Sequence, residues 1–320
     1  MNAADMRVNK TLVRREFWEN RSLWIVPLVA IGILTVLSIY MLIAVLVGHS
    51  QSINTINMEG NHFQLDNLPD FANADPASVA GIIRASPMML SGLLFNPMMQ
   101  IVVFFYLLDS LYAERRDRSI LFWRSMPVSD TRTVLAKLAT ALLAVTAISF
   151  VATIAFELIL LVLELIMGGV LGVHLWVVLE HPLAFLESWI LLAFCLLAQA
   201  LWYLPYYGWV MLASAWAKKV PFLWAVLTPL GVMFAEAWVF HSGHIAKLVF
   251  GHYLRWMGPV FNIEDGIKLR AADVLSSNTD VVTAGSVAQF FASPELWVGV
   301  VLAAACVAGA VWLRRNRSEI

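Results

Sequence analysis

Three carboxylic acids lie inside long apolar runs of this sequence, where an ionised side chain is costly to place. Glu157 and Glu164 are seven residues apart in one run, so a helix carries them on one face, and Glu236 lies in another run. An acidic side chain at the centre of a membrane helix costs about 2.5–3.5 kcal/mol. These acids therefore either contact a cationic substrate or relay protons, or else they pack between helices and reach towards the membrane surface.

Polar and aromatic side chains are concentrated in a later apolar run, which reads WYLPYYGW from Trp202 to Trp209. Such side chains can line a cavity for an amphipathic or lipid-like substrate, but aromatic residues also form interfacial belts and packing surfaces. Pro205 interrupts the helix expected here. The residues that we predict to line a substrate pathway are Glu157, Gln199, Trp202, Tyr203 and Tyr206.

The remaining reactive side chains do not indicate a metal centre or a catalytic site. His241, His244 and His252 have the spacing H-x2-H-x7-H, which is not a recognised zinc signature. Cys195 and Cys306 lie singly in apolar runs. We therefore expect no metal and no catalytic residues, and a chain that is not an enzyme by itself. An intramembrane or outer-face enzyme that uses His and Glu residues is the alternative.

A basic loop at residues 109–135 holds the densest group of candidate interaction residues. It reads ERRDR, then ILFWRSM, then PVSDT. Residues 120–123 predict a short amphipathic helix, which Pro127 ends, and Ser129 or Asp130 can cap the next helix. A short helix with this apolar face either docks on the membrane surface or fits a groove on a cytoplasmic partner.

The elements that must position these residues are membrane helices, because 60% of the 320 residues are hydrophobic and only 13% are charged. A bilayer core about 30 Å thick requires about 20 apolar residues in a helix. We predict one all-α, polytopic domain, residues 1–320, with six transmembrane helices. The predicted spans are about 23–47, 87–108, 136–167, 187–216, 221–240 and 294–313.

Several segments outside these spans are also assigned. Residues 7–20 form either an interfacial helix or an ordinary charged extension. The outer segments are 48–86, with short helical pieces at most, and 241–294, whose semi-apolar part could dip into the outer leaflet if protein shields it. Small residues in the last span permit either a dimer contact or packing within one chain; they are Gly299, Ala303, Ala304, Ala305, Ala308 and Gly309.

Most of the 21 Lys and Arg residues fall on one side of the predicted spans. They occur in the N-terminal segment, the loop 109–135, a turn at Lys218 and Lys219, and the final RRNR. Because Lys and Arg mark cytoplasmic segments, we predict a multi-pass protein of the bacterial inner membrane with both termini in the cytoplasm. The same topology accounts for the basic residues, so nucleic-acid binding is not expected.

The run LLDSLYAERRDRSILFWRSMPVSDTRTVLAKL resembles the first cytoplasmic loop of the ABC type-2 exporter permeases. The matching features are Glu114 after the second span, the Pro127-Val128-Ser129 turn and Lys137 at the start of the third span. The N-terminal RREFWENRSLW is similar to the interfacial connecting helix of that family. This resemblance implies the ABC type-2 exporter membrane-domain fold.

The resemblance also implies that a separate ATPase powers the protein. The sequence has no G-x-x-x-x-G-K-[ST] phosphate loop, so ATP and Mg would be bound by two partner ATPase subunits and no cofactor by this chain. A second permease chain, identical or similar, and membrane lipids are the other implied partners. The implied activity is export of a hydrophobic or amphipathic substrate. The residues implied to couple to the ATPase are Glu114, Arg116, Ile120, Leu121, Phe122, Trp123 and Pro127. A non-transporting membrane anchor or assembly subunit is a further alternative.

Overall fold

The chain is almost entirely helical in the parts that the computed structural model describes. These parts are residues 3–50, 55–58, 61–64, 90, 94–125, 128–171, 182–255 and 284–316. The all-α class is therefore confirmed in its coarse form. One antiparallel hairpin departs from it, since β1 (Thr55–Met58) pairs with β2 (Asn61–Gln64) where the sequence predicted short helical pieces at most.

The described residues also form thirteen α-helices, some short and connecting, others long and apolar. In chain order they are α1 (Ala3–Glu19), α2 (Ser22–Ser50), α3 (Asn96–Ser110), α4 (Tyr112–Arg116), α5 (Ser119–Ser125), α6 (Asp130–Leu143), α7 (Ser149–Leu171), α8 (Pro182–Trp202), α9 (Leu204–Trp216), α10 (Pro221–Phe240), α11 (His244–Arg255), α12 (Ala284–Ala292) and α13 (Pro294–Asn316).

Among the residues that the structure describes, five helical segments are long and apolar enough to cross a membrane. They are Ser22–Ala44, Asp130–Met167, Phe185–Trp202, Pro221–Phe240 and Pro294–Asn316. A multi-pass membrane protein is thereby supported, but the predicted count of six is not confirmed. The second predicted span, 87–108, overlaps α3, but residues 87–89 and 91–93 lie outside the described residues, so the full length of this span is not tested.

The third predicted span is longer than a membrane requires. Helices α6 and α7 are continuous through a π-helical turn, Ala144–Ile148, and together give a candidate span of 38 residues. The Ser129 hydroxyl accepts the Arg132 N–H at 3.3 Å and so caps the start of α6. Of the two predicted caps, Ser129 is the one used.

The centre of the bundle is formed by α3, α9 and α13. Met99, Val103 and Leu107 recur along one face of α3 and are completely buried. Helix α9 packs most extensively against α13, because Gly208 lets the two backbones approach: a Cβ there would meet Ala303 O at 3.1 Å. The small residue Ala303 therefore serves packing within the chain.

A break separates α8 from α9 at Tyr203. Pro205 has no N–H to donate, and the N–H groups of Tyr206 and Tyr207 both donate to Tyr203 O, at 3.0 and 3.2 Å. The carbonyl of Trp202 is consequently left without a helical partner. This break was predicted from Pro205, and it determines where α11 attaches.

Candidate functional site

Buried charges join four helices at one end of the bundle, which we call the basic end. Lys137 of α6 contacts both carboxylate oxygens of Glu16 of α1, at 2.9 and 3.0 Å, and one oxygen of Glu114 of α4, at 3.2 Å. Arg314 of α13 donates to the other oxygen of Glu114 and, at 2.8 Å, to Asp130. We call these five residues the ion-pair network.

Four of the five residues of the ion-pair network are buried, whereas the side chain of Asp130 is 22% exposed. Glu16 is 2% exposed, and Lys137 and Arg314 are each 4% exposed. Tyr106 of α3 donates its hydroxyl to Glu16 at 3.2 Å, and Arg15 donates to Glu16 at 2.6 Å. With Arg15 included, three carboxylates face three cations, so the buried cluster is neutral. Such neutrality is what makes a buried cluster of charges tolerable.

Burial and neighbouring cations act in opposite directions on the pKa of Glu16. Burial raises this pKa, because it disfavours the charged form, but the charges and hydrogen bonds of Lys137 and then Arg15 outweigh it. The net result is a pKa below the ordinary glutamate value. Glu16 is therefore a carboxylate throughout the neutral range, as an ion-pair partner of Lys137 must be.

The segment that carries Glu114 is fixed to the end of α9. Arg115 is buried and donates to the carbonyls of Ser214 and Ala217, at 2.6 and 2.9 Å. In return the Ser214 hydroxyl accepts the N–H groups of Leu111 and Tyr112, both at 3.1 Å. These bonds satisfy backbone groups at two helix ends and hold α4 in place.

The predicted amphipathic helix is present as α5, immediately after the ion-pair network. Ile120 is 1% exposed and anchors the helix, whereas Leu121 and Phe122 are 57% and 61% exposed. The guanidinium of Arg15 lies 3.8 Å from the centre of the Trp123 ring, a cation–π contact that ties α5 to α1. The helix therefore exposes Leu121 and Phe122 to its surroundings, while Ile120 and Trp123 contact the rest of the protein.

Two further residues, Arg116 and Pro127, were predicted to couple to the ATPase. Arg116 is exposed and pairs with Asp117 at 2.9 Å, so it does not join the ion-pair network. This Asp117 hydrogen bond and charge raise the Arg116 pKa above its ordinary value. Pro127 lies outside the described residues. Arg118, just before α5, has a positive φ of 57°, which turns the chain sharply between α4 and α5.

The predicted pathway residues are split between two places. Glu157 is buried and accepts the indole N–H of Trp189 at 2.9 Å, so α7 and α8 hold its carboxylate. Gln199 is buried and accepts a hydrogen bond from Asn96 of α3. Neither group faces open space.

The aromatic residues Trp202, Tyr203 and Tyr206 bind the backbone of α11. They donate to three carbonyl groups at or near its C-terminal end: Trp202 to His252 at 2.7 Å, Tyr203 to Tyr253 at 3.0 Å and Tyr206 to Val249 at 2.5 Å. The rings of Trp202 and Tyr203 also stack on those of His252 and Tyr253, with 4.8 Å between centroids in each pair. In this arrangement the aromatic residues pack against another helix of the chain, which is one of the two roles considered for them from the sequence.

His252 completes the contact by filling the helix break. Its Nε2 lies 3.0 Å from the Trp202 carbonyl, which has no helical partner because the Tyr206 N–H donates to Tyr203 O instead. A carbonyl oxygen only accepts, so the tautomer with hydrogen on Nε2 is the one that fits. Trp202 and His252 thus exchange two hydrogen bonds.

Glu236 caps the other end of α11. Its carboxylate accepts the N–H groups of His244 and Ile245 and the hydroxyl of Ser242, each at 2.8 Å. A carboxylate at a helix N-terminus satisfies free N–H groups and favours the helix dipole. Of the open interpretations of this acid, a structural role therefore fits its contacts.

An open groove of about 630 Å³ lies at the basic end between α3, α4 and α10. Its walls include Phe105 and Phe222, whose rings stack with centroids 6.4 Å apart, and its rim includes Asp109 and Arg116. Within the described residues, no group of three or more His, Cys, Asp or Glu side chains could hold a metal ion.

Searches for similar proteins found no match to this chain among family models, curated proteins or solved structures. Its own geometry is therefore the basis for any functional assignment.

Sequence reasoning identified some members of these sites and missed others. It selected Glu114 and Lys137, which are in contact, but Glu16, Asp130 and Arg314 were not assigned to a site. Arg314 lies 200 residues from Glu114, and in the sequence it is simply one of several arginines that follow an apolar run. The sequence did contain one indication of a buried ion pair, namely an acidic residue among basic ones, as with Glu16 in RREFW.

Proposed function

We propose that this chain is the membrane-spanning subunit of an ATP-binding-cassette exporter, and that a separate ATPase binds it at α5. The observation that carries the proposal is the exposed pair Leu121 and Phe122 on a short helix that is otherwise anchored. A rigid helix with protruding apolar side chains is suited to a groove on another protein. The resemblance of this loop to type-2 exporter permeases supports the same partner.

The ion-pair network supplies a route for coupling in this proposal. Glu114 lies in α4, five residues before the start of α5 at Ser119. It contacts Lys137 of α6 and Arg314 of α13. A force applied to α5 by the ATPase therefore acts on α6 about two turns after its start and on the final turn of α13. Both of these helices belong to candidate spans. Arg15 adds a contact to α1 through Trp123.

The substrate class that we propose is hydrophobic or amphipathic. The groove between α3 and α10 combines stacked phenylalanine rings with a charged rim, as an amphipathic molecule requires. Two copies of this chain, or one copy and a similar chain, would complete the pathway, with two ATPase subunits binding ATP and Mg. We place the basic end in the cytoplasm of a bacterial cell.

The pathway residues take a narrower role in this proposal. The donors of Trp202, Tyr203 and Tyr206 are occupied by α11, so a substrate reaches these rings only when α11 moves. Glu157 and Gln199 likewise have partners within the bundle. They would act in transport by changing those partners.

The substitution Phe122→Ala tests the proposal. The chain should be purified in mild detergent from its native host, with the co-purifying proteins identified and their ATP hydrolysis measured. We expect an ATPase with a Walker-type phosphate loop to accompany the wild-type chain and to be lost, at least several-fold, from the variant.

Phe240→Ala is the matched control, because Phe240 is also an exposed phenylalanine but lies at the far end of α10. Its ATPase content should equal that of the wild type. If Phe122→Ala retains the full amount of ATPase and of ATP hydrolysis, α5 is not the binding element. Absence of any such ATPase from the wild-type preparation would reject the exporter assignment itself.

A further inference from the structure

A second groove, of about 330 Å³, lies between α2 and α7, in the half of the bundle away from the ion-pair network. Its walls are formed by leucines from both helices, among them Leu34 and Leu37 from α2 and Leu160 and Leu163 from α7. The volume falls within the range of ordinary small-molecule sites. A hydrocarbon chain is the occupant that these walls fit.

The polar groups of this groove are acceptors of hydrogen bonds. Among the residues that line it, Glu164 alone is charged, and its side chain is exposed. Ser38 also lines the groove and donates its own proton to Leu34 O at 2.8 Å, which leaves its oxygen able to accept. None of the described residues that line the groove is Lys or Arg, so the Glu164 carboxylate and the Ser38 hydroxyl oxygen complement an ammonium group, which has only N–H donors.

The position of the groove along the helices matches the layout of a lipid. The α2 residues that line it run from Leu34, near the middle of α2 (Ser22–Ser50), to Leu42. Glu164 lies four residues before Gly168 and Gly169, which follow the apolar run of α7, so it is close to the end of that run. A lipid in this half of the membrane has its headgroup near Glu164 and its chain beside Leu34.

We propose that the groove between α2 and α7 binds a membrane lipid with a primary ammonium headgroup. Glu164 accepts hydrogen bonds from the ammonium group, with Ser38 as a second acceptor, and the leucine walls hold one acyl chain. Binding of this lipid also lowers the cost of placing a carboxylate at the edge of the hydrocarbon. The inference does not depend on the exporter assignment.

The test measures which lipids remain on the full-length protein. The purified chain is reconstituted in vesicles of phosphatidylethanolamine and phosphatidylglycerol, or of phosphatidylcholine and phosphatidylglycerol, then re-extracted, and bound lipids are counted by native mass spectrometry. Phosphatidylcholine has a quaternary ammonium without N–H groups, so it cannot donate to Glu164. We expect wild-type protein to retain phosphatidylethanolamine about tenfold better, and Glu164→Gln to lose this preference.

The control is Glu295→Gln, which removes an exposed carboxylate at the start of α13, in the same half of the bundle but outside the groove. Its lipid preference should equal that of the wild type. Leu37→Trp, which fills the groove without altering its charge, should reduce the retention of phosphatidylethanolamine.

Three results would overturn the proposal. One is equal retention of both lipids by the wild type; another is an unchanged preference in Glu164→Gln, which would mean that this carboxylate extends into water and binds no headgroup. The third is retention of added dodecylammonium without a preference for phosphatidylethanolamine, which would assign the groove to a free cationic amphiphile. Each result is independent of whether an ATPase is found.

Discussion

At the scale of single residues, the ion-pair network is the feature with the largest expected energetic effect. Lys137 stands between two carboxylates that are both shielded from water. Its attraction to them offsets their desolvation, and its removal leaves two buried acids with less compensation. The structural importance of Lys137 therefore does not depend on any function of the chain.

Replacing Lys137 by methionine, which has a similar length, is expected to lower the free energy of unfolding by about 3–5 kcal/mol. The measurement is thermal unfolding of the purified protein in detergent. Lys219→Met is the control, because Lys219 is exposed at the same end of the bundle, and its melting temperature should stay close to that of the wild type. Equal melting temperatures for both variants would show that the network contributes little.

Glu16 gives this network a defined dependence on pH. Its pKa is lower in the folded chain than in the unfolded chain, so its contribution is complete above the unfolded value of about 4.3 and disappears as the pH falls through the folded value. The melting temperature of Glu16→Gln should lie below that of the wild type by a constant amount from pH 8 to about pH 5. Below about pH 4 the two values should converge. A gap that is unchanged at pH 3 would contradict the lowered pKa.

At the scale of elements, α11 is defined by the way in which its two ends are satisfied. Glu236 accepts N–H groups at its start, and Trp202, Tyr203 and Tyr206 donate to carbonyls towards its end. In a membrane, free backbone groups are especially costly because water cannot replace the missing partners. These side-chain hydrogen bonds to backbone groups of α11 therefore favour a largely apolar position for the helix.

Removal of these aromatic donors should detach the end of α11. The double variant Tyr203→Phe and Tyr206→Phe keeps both rings but removes two hydrogen bonds to α11, each worth about 0.5–1.5 kcal/mol. Hydrogen exchange of the α11 amides, followed by mass spectrometry, should become faster. Trp209→Phe is the matched control, because Trp209 donates to Ala225 of α10 instead. Unchanged exchange in the double variant would mean that ring stacking alone holds α11.

The same elements show how far sequence reasoning can reach. Pro205 predicts a break, since its missing N–H is a local property, and the break is present. The attachment of α11 to that break was not predictable, because His252 and Trp202 are 50 residues apart and apolar periodicity does not encode pairing between distant helices. Similarly, Ile120 to Trp123 predict a short helix, but which side chain is buried depends on contacts made by α1 and α6.

At the scale of the whole molecule, the two ends of the bundle differ in character. The basic end carries the ion-pair network, α5 and the exposed Lys218 and Lys219, while α11 and Glu164 lie in the other half. Hydropathy and the distribution of Lys and Arg were sufficient to predict a multi-pass helical protein. The predicted count of six spans stays a prediction, because five candidate spans occur among the described residues and the second predicted span, 87–108, is described only in part.

Cysteine labelling tests the orientation of these two ends. Ser125→Cys lies at the end of α5 and Glu295→Cys at the start of α13, and both positions are exposed. With a membrane-impermeant maleimide, we expect Glu295→Cys to react in intact cells and Ser125→Cys only after lysis. Reaction of Ser125→Cys in intact cells would place α5 outside, where no cytoplasmic ATPase could bind it.

The contact between Arg314 and Glu114 also constrains how the protein is made. Arg314 is translated 200 residues after Glu114, which is roughly 10–40 s later at ordinary ribosome speeds. During that interval the three carboxylates Glu16, Glu114 and Asp130 face Lys137 and Arg15 but not Arg314, so these residues carry one negative charge more than positive charges. The ion-pair network is therefore complete only after α13 has been inserted.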